Sequence, residues 1–136
     1  MTQCELPKEE LVRRKELSDN TRKMIYSLLD VAAEDETSLM TTYRDFYLQI
    51  SFSELHPLMV FSLARPLDGE KAMLADRSNE MNLRSVLGSH SVNENFSCYN
   101  YRATHWLDAQ MTKTRFFEIL DRCVDEAVRG YYQLAH

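Results

Sequence analysis

In the stretch FYLQISFS, residues 46–53, apolar and polar side chains alternate without a break. Phe46, Leu48, Ile50 and Phe52 fall on one side of an extended chain and Tyr47, Gln49, Ser51 and Ser53 on the other, because successive strand residues point to opposite faces. This is the pattern of a strand buried on one face. The C-terminal segment follows a different rhythm. Phe116, Ile119, Leu120, Cys123, Val124, Ala127 and Tyr131 recur at the spacing of about 3.6 residues that lines one side of a helix. A chain that carries both periods has to pack helices against a sheet.

Local signals extend this reading along the chain. Thr112 is placed to cap the last helix, with Met111 and Phe116 as a hydrophobic staple, and Glu118–Arg122 and Asp125–Arg129 are spaced as ion pairs on its wet side. Residues 58–64, LMVFSLA, are apolar on both parities between Pro57 and Pro66, which predicts a strand covered on both sides. Asp68 can cap a helix over 70–86 containing Met73, Leu74, Met81 and Val86, with Gly88 as its terminating residue. SHSVNEN and FSCYNYRATHWL read as a hairpin joined near Asn93–Asn95, with Tyr99, Tyr101, Ala103 and Leu107 facing the core.

Near the N-terminus, residues 7–17 hold helix formers but few apolar positions, Leu11, Val12 and Leu17, which suggests a polar helical arm over 1–18. Ser18, Asp19 and Asn20 offer caps for a second helix through Met24, Ile25, Leu28, Leu29 and Ala32 to about residue 34. TSLMTTY, residues 37–43, is a short strand. The expected architecture is a two-layer α+β domain over 19–136: helix, antiparallel strands, helix, two-stranded hairpin and a long C-terminal amphipathic helix.

Composition narrows the functional classes. With 136 residues the chain fits one domain, and its net charge of −5 argues against binding nucleic acid, where lysine and arginine must neutralise phosphates. The one basic run, VRRK at 12–15, is flanked by Glu9, Glu10 and Glu16 and reads as a solvated helix face. Cys4, Cys98 and Cys123 form no C-x-x-C motif, so free thiols in a reducing cytoplasm are expected. No apolar run approaches the roughly 20 residues of a membrane span, and the first residues lack the apolar region of a secretion signal.

The stretch CYNYRATHWLD, residues 98–108, gathers a cysteine, a histidine and an aspartate beside the only tryptophan. On one strand, however, Cys98 and His105 point to opposite faces about 23 Å apart, so they cannot form a catalytic pair. Asp108 is placed to satisfy turn or cap amides. His56, His90 and His136 lack a second ligand at helical metal-site spacing, and there is no phosphate-cradling glycine loop. No catalytic residue, cofactor or metal is therefore expected, and the chain reads as a non-enzyme.

What remains is surface that can bind. The two-sided apolar strand 58–64 and the second parity of the hairpin strand offer more apolar groups than one helix-covered face needs, and they nominate Met59, Phe61, Phe96 and Trp106 as contacts for a protein client or for a second copy in a homodimer. One alternative is a small enzyme or ligand-binding protein that uses His90, His105 or Arg102 between the sheet and the helix at 70–86. Another is an acidic inhibitor or immunity-type protein that blocks a basic partner.

FYLQISF, MVFSLARPL, the helix AMLADRSNEMNLRSV before a hairpin, and the ending LDAQMTKTRFFEILDRCVDEAVRGYYQL occur in an order that resembles the bacterial YbjN proteins and the type III secretion chaperones. The resemblance spans roughly residues 20–134, and the arm at 7–17 has no counterpart in it. It implies a small cytoplasmic dimer without cofactor or catalytic residues. For the chaperones, it further implies a surface that holds a client's N-terminal segment in extended form.

Overall fold

The first helix does not break where the sequence offers it caps. In the computed structural model, which describes residues 7–53, 56–69, 71–93, 95, 97–108 and 111–135, α1 runs unbroken from Lys8 to Leu28 through Ser18, Asp19 and Asn20. Cap preference is worth about 1 kcal/mol per residue, and here a continuous stripe outweighs it. Leu17, Met24 and Leu28 pack on the core around the fully buried Ile25. Thr21 is buried in the same stripe and returns its hydroxyl to the Leu17 carbonyl at 2.8 Å. The helix also ends earlier than about residue 34, and the chain is extended by β1 (Ala33–Glu34).

Strands β2 (Ser38–Tyr43), β3 (Phe46–Phe52) and β4 (Leu58–Pro66) follow as an antiparallel meander. Arg44 and Asp45 turn the chain between β2 and β3 with φ of 47° and 71°, the mirror-image backbone that suits a two-residue hairpin loop. The strained Arg44 is tied to the C-terminal helix by Asp121 at 3.6 Å and Asp125 at 3.3 Å. After α2 (Lys71–Asn82), the hairpin of β5 (Ser89–Asn93) and β6 (Cys98–Trp106) completes a six-stranded, wholly antiparallel sheet in the order β1-β2-β3-β4-β6-β5. Thr112 accepts the Arg115 amide at 3.2 Å as the expected cap of α3 (Lys113–Ala135).

One parity of the sheet carries the core. Leu39, Ile50, Phe61 and Ala103 lie in register across four strands, flanked by Leu48, Leu63 and Tyr101 and by Phe52, Met59 and His105. Except for the half-buried His105, all of these are buried, and they form one apolar cluster with Ile25 of α1, Leu74 of α2 and Phe116, Leu120, Cys123, Val124 and Ala127 of α3. The helices therefore lie on that side of the sheet. Tyr99, Tyr101, Ala103 and Leu107 are buried as their spacing implied.

Strand β4 departs from expectation, because helices cover only one of its faces. Met59, Phe61 and Leu63 are fully buried while Leu58, Val60, Ser62 and Ala64, pointing the other way, are only half-buried. The second helix also stops at Asn82 rather than 86. Gly88 does not terminate it but lets the chain pass against β6, where an added Cβ would stand 2.4 Å from the Arg102 carbonyl oxygen.

Candidate protein-binding surfaces

On the side of the sheet away from the helices, the described positions of β2–β6 carry a single charged side chain, Arg102. The rest is neutral: Gln49, Ser51, Ser62, Asn100 and Thr104 intermingle with Leu58, Val60, Tyr47 and Trp106. Trp106 is 65% exposed and Tyr47 64%. His56 stands edge-on to the Trp106 ring, with centroids 6.5 Å apart. In a chain where 27% of residues are charged, an antiparallel sheet that met only water would be expected to alternate apolar with charged residues on its wet side. This face instead carries one charge and is studded with large apolar groups.

The four nominated contact residues separate in the structure. Met59 and Phe61 are fully buried under α3, because the pleat sends them to the helix side; they cannot touch a partner without opening the core. Their neighbours Leu58 and Val60 occupy the open face instead. Trp106 is exposed there, and Phe96 lies outside the described residues.

The polar groups of CYNYRATHWLD do not assemble. Cys98 lies on the open face with its Sγ 3.4 Å from the Arg65 carbonyl oxygen. His105 points into the helix layer, where its Nε2 is 3.5 Å from Sγ of Cys123, and Asp108 pairs with Arg115 at 2.9 Å. Burial pushes the Cys123 thiol up to about 11 and holds His105 below its ordinary value, helped by the nearby Arg115 charge. The pair is therefore a neutral thiol against a neutral imidazole, packed within the core, the opposite of an activated nucleophile. Nor do the alternative site residues converge: His90 and His105 face the helices and Arg102 faces away.

Sequence reasoning missed a second polar cluster, between α3 and the loop after α2. Glu126 is 8% exposed on the buried side of α3. Its carboxylate accepts the amides of Gly88 at 2.9 Å, Val86 at 3.2 Å and Leu87 at 3.3 Å, and the Tyr101 hydroxyl at 2.9 Å. Burial works to raise its pKa, but these donors outweigh it and hold the carboxyl below the usual range. Beside it His90 Nδ1 shares a hydrogen bond of 2.5 Å with the Tyr99 hydroxyl, and burial lowers the pKa of this histidine. Gly130 makes the room, since a Cβ there would lie 2.5 Å from the His90 ring. A glutamate among apolar α3 positions was the available signal.

Among the described residues, no group of three or more His, Cys, Asp or Glu side chains could hold a metal ion, and no helix is long and apolar enough to cross a membrane.

A six-stranded antiparallel sheet with its helices gathered on one side places the protein in a known class of α+β folds. Its particular likenesses are YbjN and the type III secretion chaperones. YbjN from E. coli matches with a TM-score of 0.64 at 12% identity, over 85% of this chain and 88% of YbjN. The ExsC–ExsE complex matches at 0.59 and 13%, over 90% and 92%. The Yersinia pestis type III secretion chaperone SycH, solved with a stable fragment of YscM2, matches at 0.56 and 13%, over 85% and 98%. The expected resemblance thus holds as a likeness of fold. No protein-family model and no curated protein matches the sequence.

Proposed function

We propose that the protein is a non-enzymatic, protein-binding domain of the secretion-chaperone type, acting as a homodimer joined through its open sheet face. The carrying observation is that face: among the described residues it carries large exposed apolar groups and one charge, with no helix above it. Extended apolar surface on a soluble domain marks a site of association. A second copy is the occupant favoured by charge. Each copy carries −5, so two of them repel unless they meet where acidic side chains are scarce, and the described positions of the open face bring one charge, Arg102, near the joint. Structural neighbours solved as complexes with protein partners, ExsC with ExsE and SycH with a YscM2 fragment, support a role in holding a protein client. A reducing cytoplasm suits the free thiols of Cys98 and Cys123.

Size-exclusion chromatography with light scattering tests the reading. The wild type is expected at twice the 16.0 kDa chain mass. Val60→Glu, at the centre of the face, should run as a folded monomer, and the wild-type Trp106 emission should shift to the red on dilution as the dimer parts. A wild type that stays monomeric at high concentration, with emission indifferent to dilution, would remove the basis for the proposal.

A further inference from the structure

Most arginines in the described chain are neutralised in place. Arg13 and Arg14 pair with Glu10, Arg22 with Glu34, Arg44 with Asp121 and Asp125, Arg115 with Asp108, and Arg122 with Glu118. Arg65 lies over the Tyr131 ring, 4.2 Å from its centroid. Arg77, Arg84, Arg102 and Arg129 make no ion pair among the described residues. Arg129 has lost the partner its spacing promised, because Asp125 turns to Arg44. Three of these four guanidiniums line one cavity, a groove of about 350 Å3 between α2 and α3. A volume of that order lies within the range of ligand sites, roughly 300–1,000 Å3.

The acidic groups in the groove cancel this charge only in part. Glu126 lies at its floor, but its carboxylate is taken by the amides of Val86, Leu87 and Gly88 and the Tyr101 hydroxyl, and no arginine reaches it. With Glu126 still charged, two carboxylates, Glu80 and Glu126, stand against three guanidiniums. In a protein of net charge −5, this is a local excess of positive charge held between two helices that pack on one core.

We propose that this groove binds an acidic peptide segment, its carboxylates meeting Arg77, Arg84 and Arg129 in turn. Spacing favours a chain over a single small anion. Arg77 lies in α2 and Arg84 two residues beyond its end at Asn82; the helical part alone separates them by about 8 Å of rise, which about two to three residues of extended peptide would span. A lone phosphate would call for guanidiniums gathered on one point. Each guanidinium is a planar fork that matches a carboxylate with two parallel hydrogen bonds. The site lies on the helical side of the sheet and does not depend on the homodimer reading, so the two can fail separately.

Fluorescence anisotropy of a fluorescein-labelled hexaglutamate peptide tests it. Binding to the wild type is expected, weakening steeply as salt screens the charges. Arg84→Glu with Arg129→Glu should weaken it by about tenfold or more, since paired guanidinium–carboxylate contacts become repulsions. Arg13→Glu, the same change on the exposed side of α1, outside both the groove and the open face, should leave it unaltered. Should the double reversal fail to fold by circular dichroism, Arg84→Gln with Arg129→Gln is read instead and should still weaken binding. Absence of wild-type binding, retention of affinity in the groove variants, or equal loss in Arg13→Glu would each overturn the assignment. So would inorganic phosphate displacing the peptide as effectively as free hexaglutamate, since that would mark a single-anion site.

Discussion

Replacing Glu126 with alanine removes one acceptor from four donors, and the structure sets the size of the effect. The Tyr101 side chain is 1% exposed, so its hydroxyl, 2.9 Å from Glu126, has no water to turn to. Losing a hydrogen bond to a charged acceptor at a buried site costs about 2 kcal/mol. Val86 and Leu87 are exposed and Gly88 is half-buried, so their amides regain water and lose about 0.5 kcal/mol each. The expected cost is about 3–4 kcal/mol, a large share of the roughly 5–15 kcal/mol that holds a domain together. In a chain of this size it lowers Tm by about 10–15 °C. Urea denaturation followed by far-ultraviolet circular dichroism reads this directly. The acid limb gives a second, independent reading. Because the folded carboxyl is held below its ordinary value, its contribution is fully present above the unfolded pKa of about 4.5. It is lost as pH falls through the lowered folded value. Glu126→Gln should therefore lose less stability than the wild type on going below about pH 4.5. Should Glu126→Ala stay within about 1 kcal/mol of the wild type, or Glu126→Gln keep the wild-type acid slope, the account of this cluster is wrong.

Three further outcomes follow from the same geometry. Gly130→Ala, which in an exposed helix would add about 1 kcal/mol, should instead cost about 1–3 kcal/mol in urea melts, because the new methyl meets the His90 ring at 2.5 Å and the Tyr99 hydroxyl at 2.8 Å; a gain would refute the packing. In a monomeric Val60→Glu background, Phe61→Ala should cost about 3–5 kcal/mol and Trp106→Ser less than about 0.5 kcal/mol. Comparable losses would mean the pleat has been assigned the wrong way round. With Cys4 changed to serine in the same monomeric Val60→Glu background, an aromatic disulfide reagent at pH 8 should modify the half-buried Cys98 under native conditions and Cys123 only on unfolding, since burial raises its thiol to about 11; equal rates would show that the Cys123–His105 contact is open to solvent.

How far the fold could be read ahead of the structure depended on whether one period dominated a segment. The alternation over Phe46–Phe52 and the stripe from Phe116 onward each admit one orientation, so both elements lie where the pattern puts them. Where two signals competed, the local one lost. Ser18, Asp19 and Asn20 are good caps, yet the stripe of Leu17, Thr21, Met24 and Ile25 runs through them and burial decided the matter. The end of α2 turned on contacts distant in sequence. Residues 83–88 leave the helix and carry three amides to Glu126, some 40 positions on. The groove arginines were invisible for a related reason: Arg129 has a partner at the right spacing, and only the competing Arg44 shows that it is left free of it.

Strand β4 held the ambiguity that matters most for function. LMVFSLA is apolar on both parities, so sequence could show that two faces needed cover without showing which one the chain itself supplies. The register resolves it, since Phe61 aligns with Ile50 and Ala103 under α3, and Val60 with Ser51 and Thr104 on the open side. Once Met59 and Phe61 are core, the neighbours of Leu58 and Val60 carry the meaning. Ser51, Ser62, Asn100 and Thr104 are short, neutral side chains that allow another surface to come close. A face serving only as a solvated exterior could take lysine and glutamate at those positions at little cost in stability. Small neutral groups around exposed Trp106 and Tyr47 are what close packing against a second protein surface would require. That is the physical ground for expecting Val60→Glu to break an assembly rather than the fold: the carboxylate would be solvated in the free chain and buried without a partner at the joint.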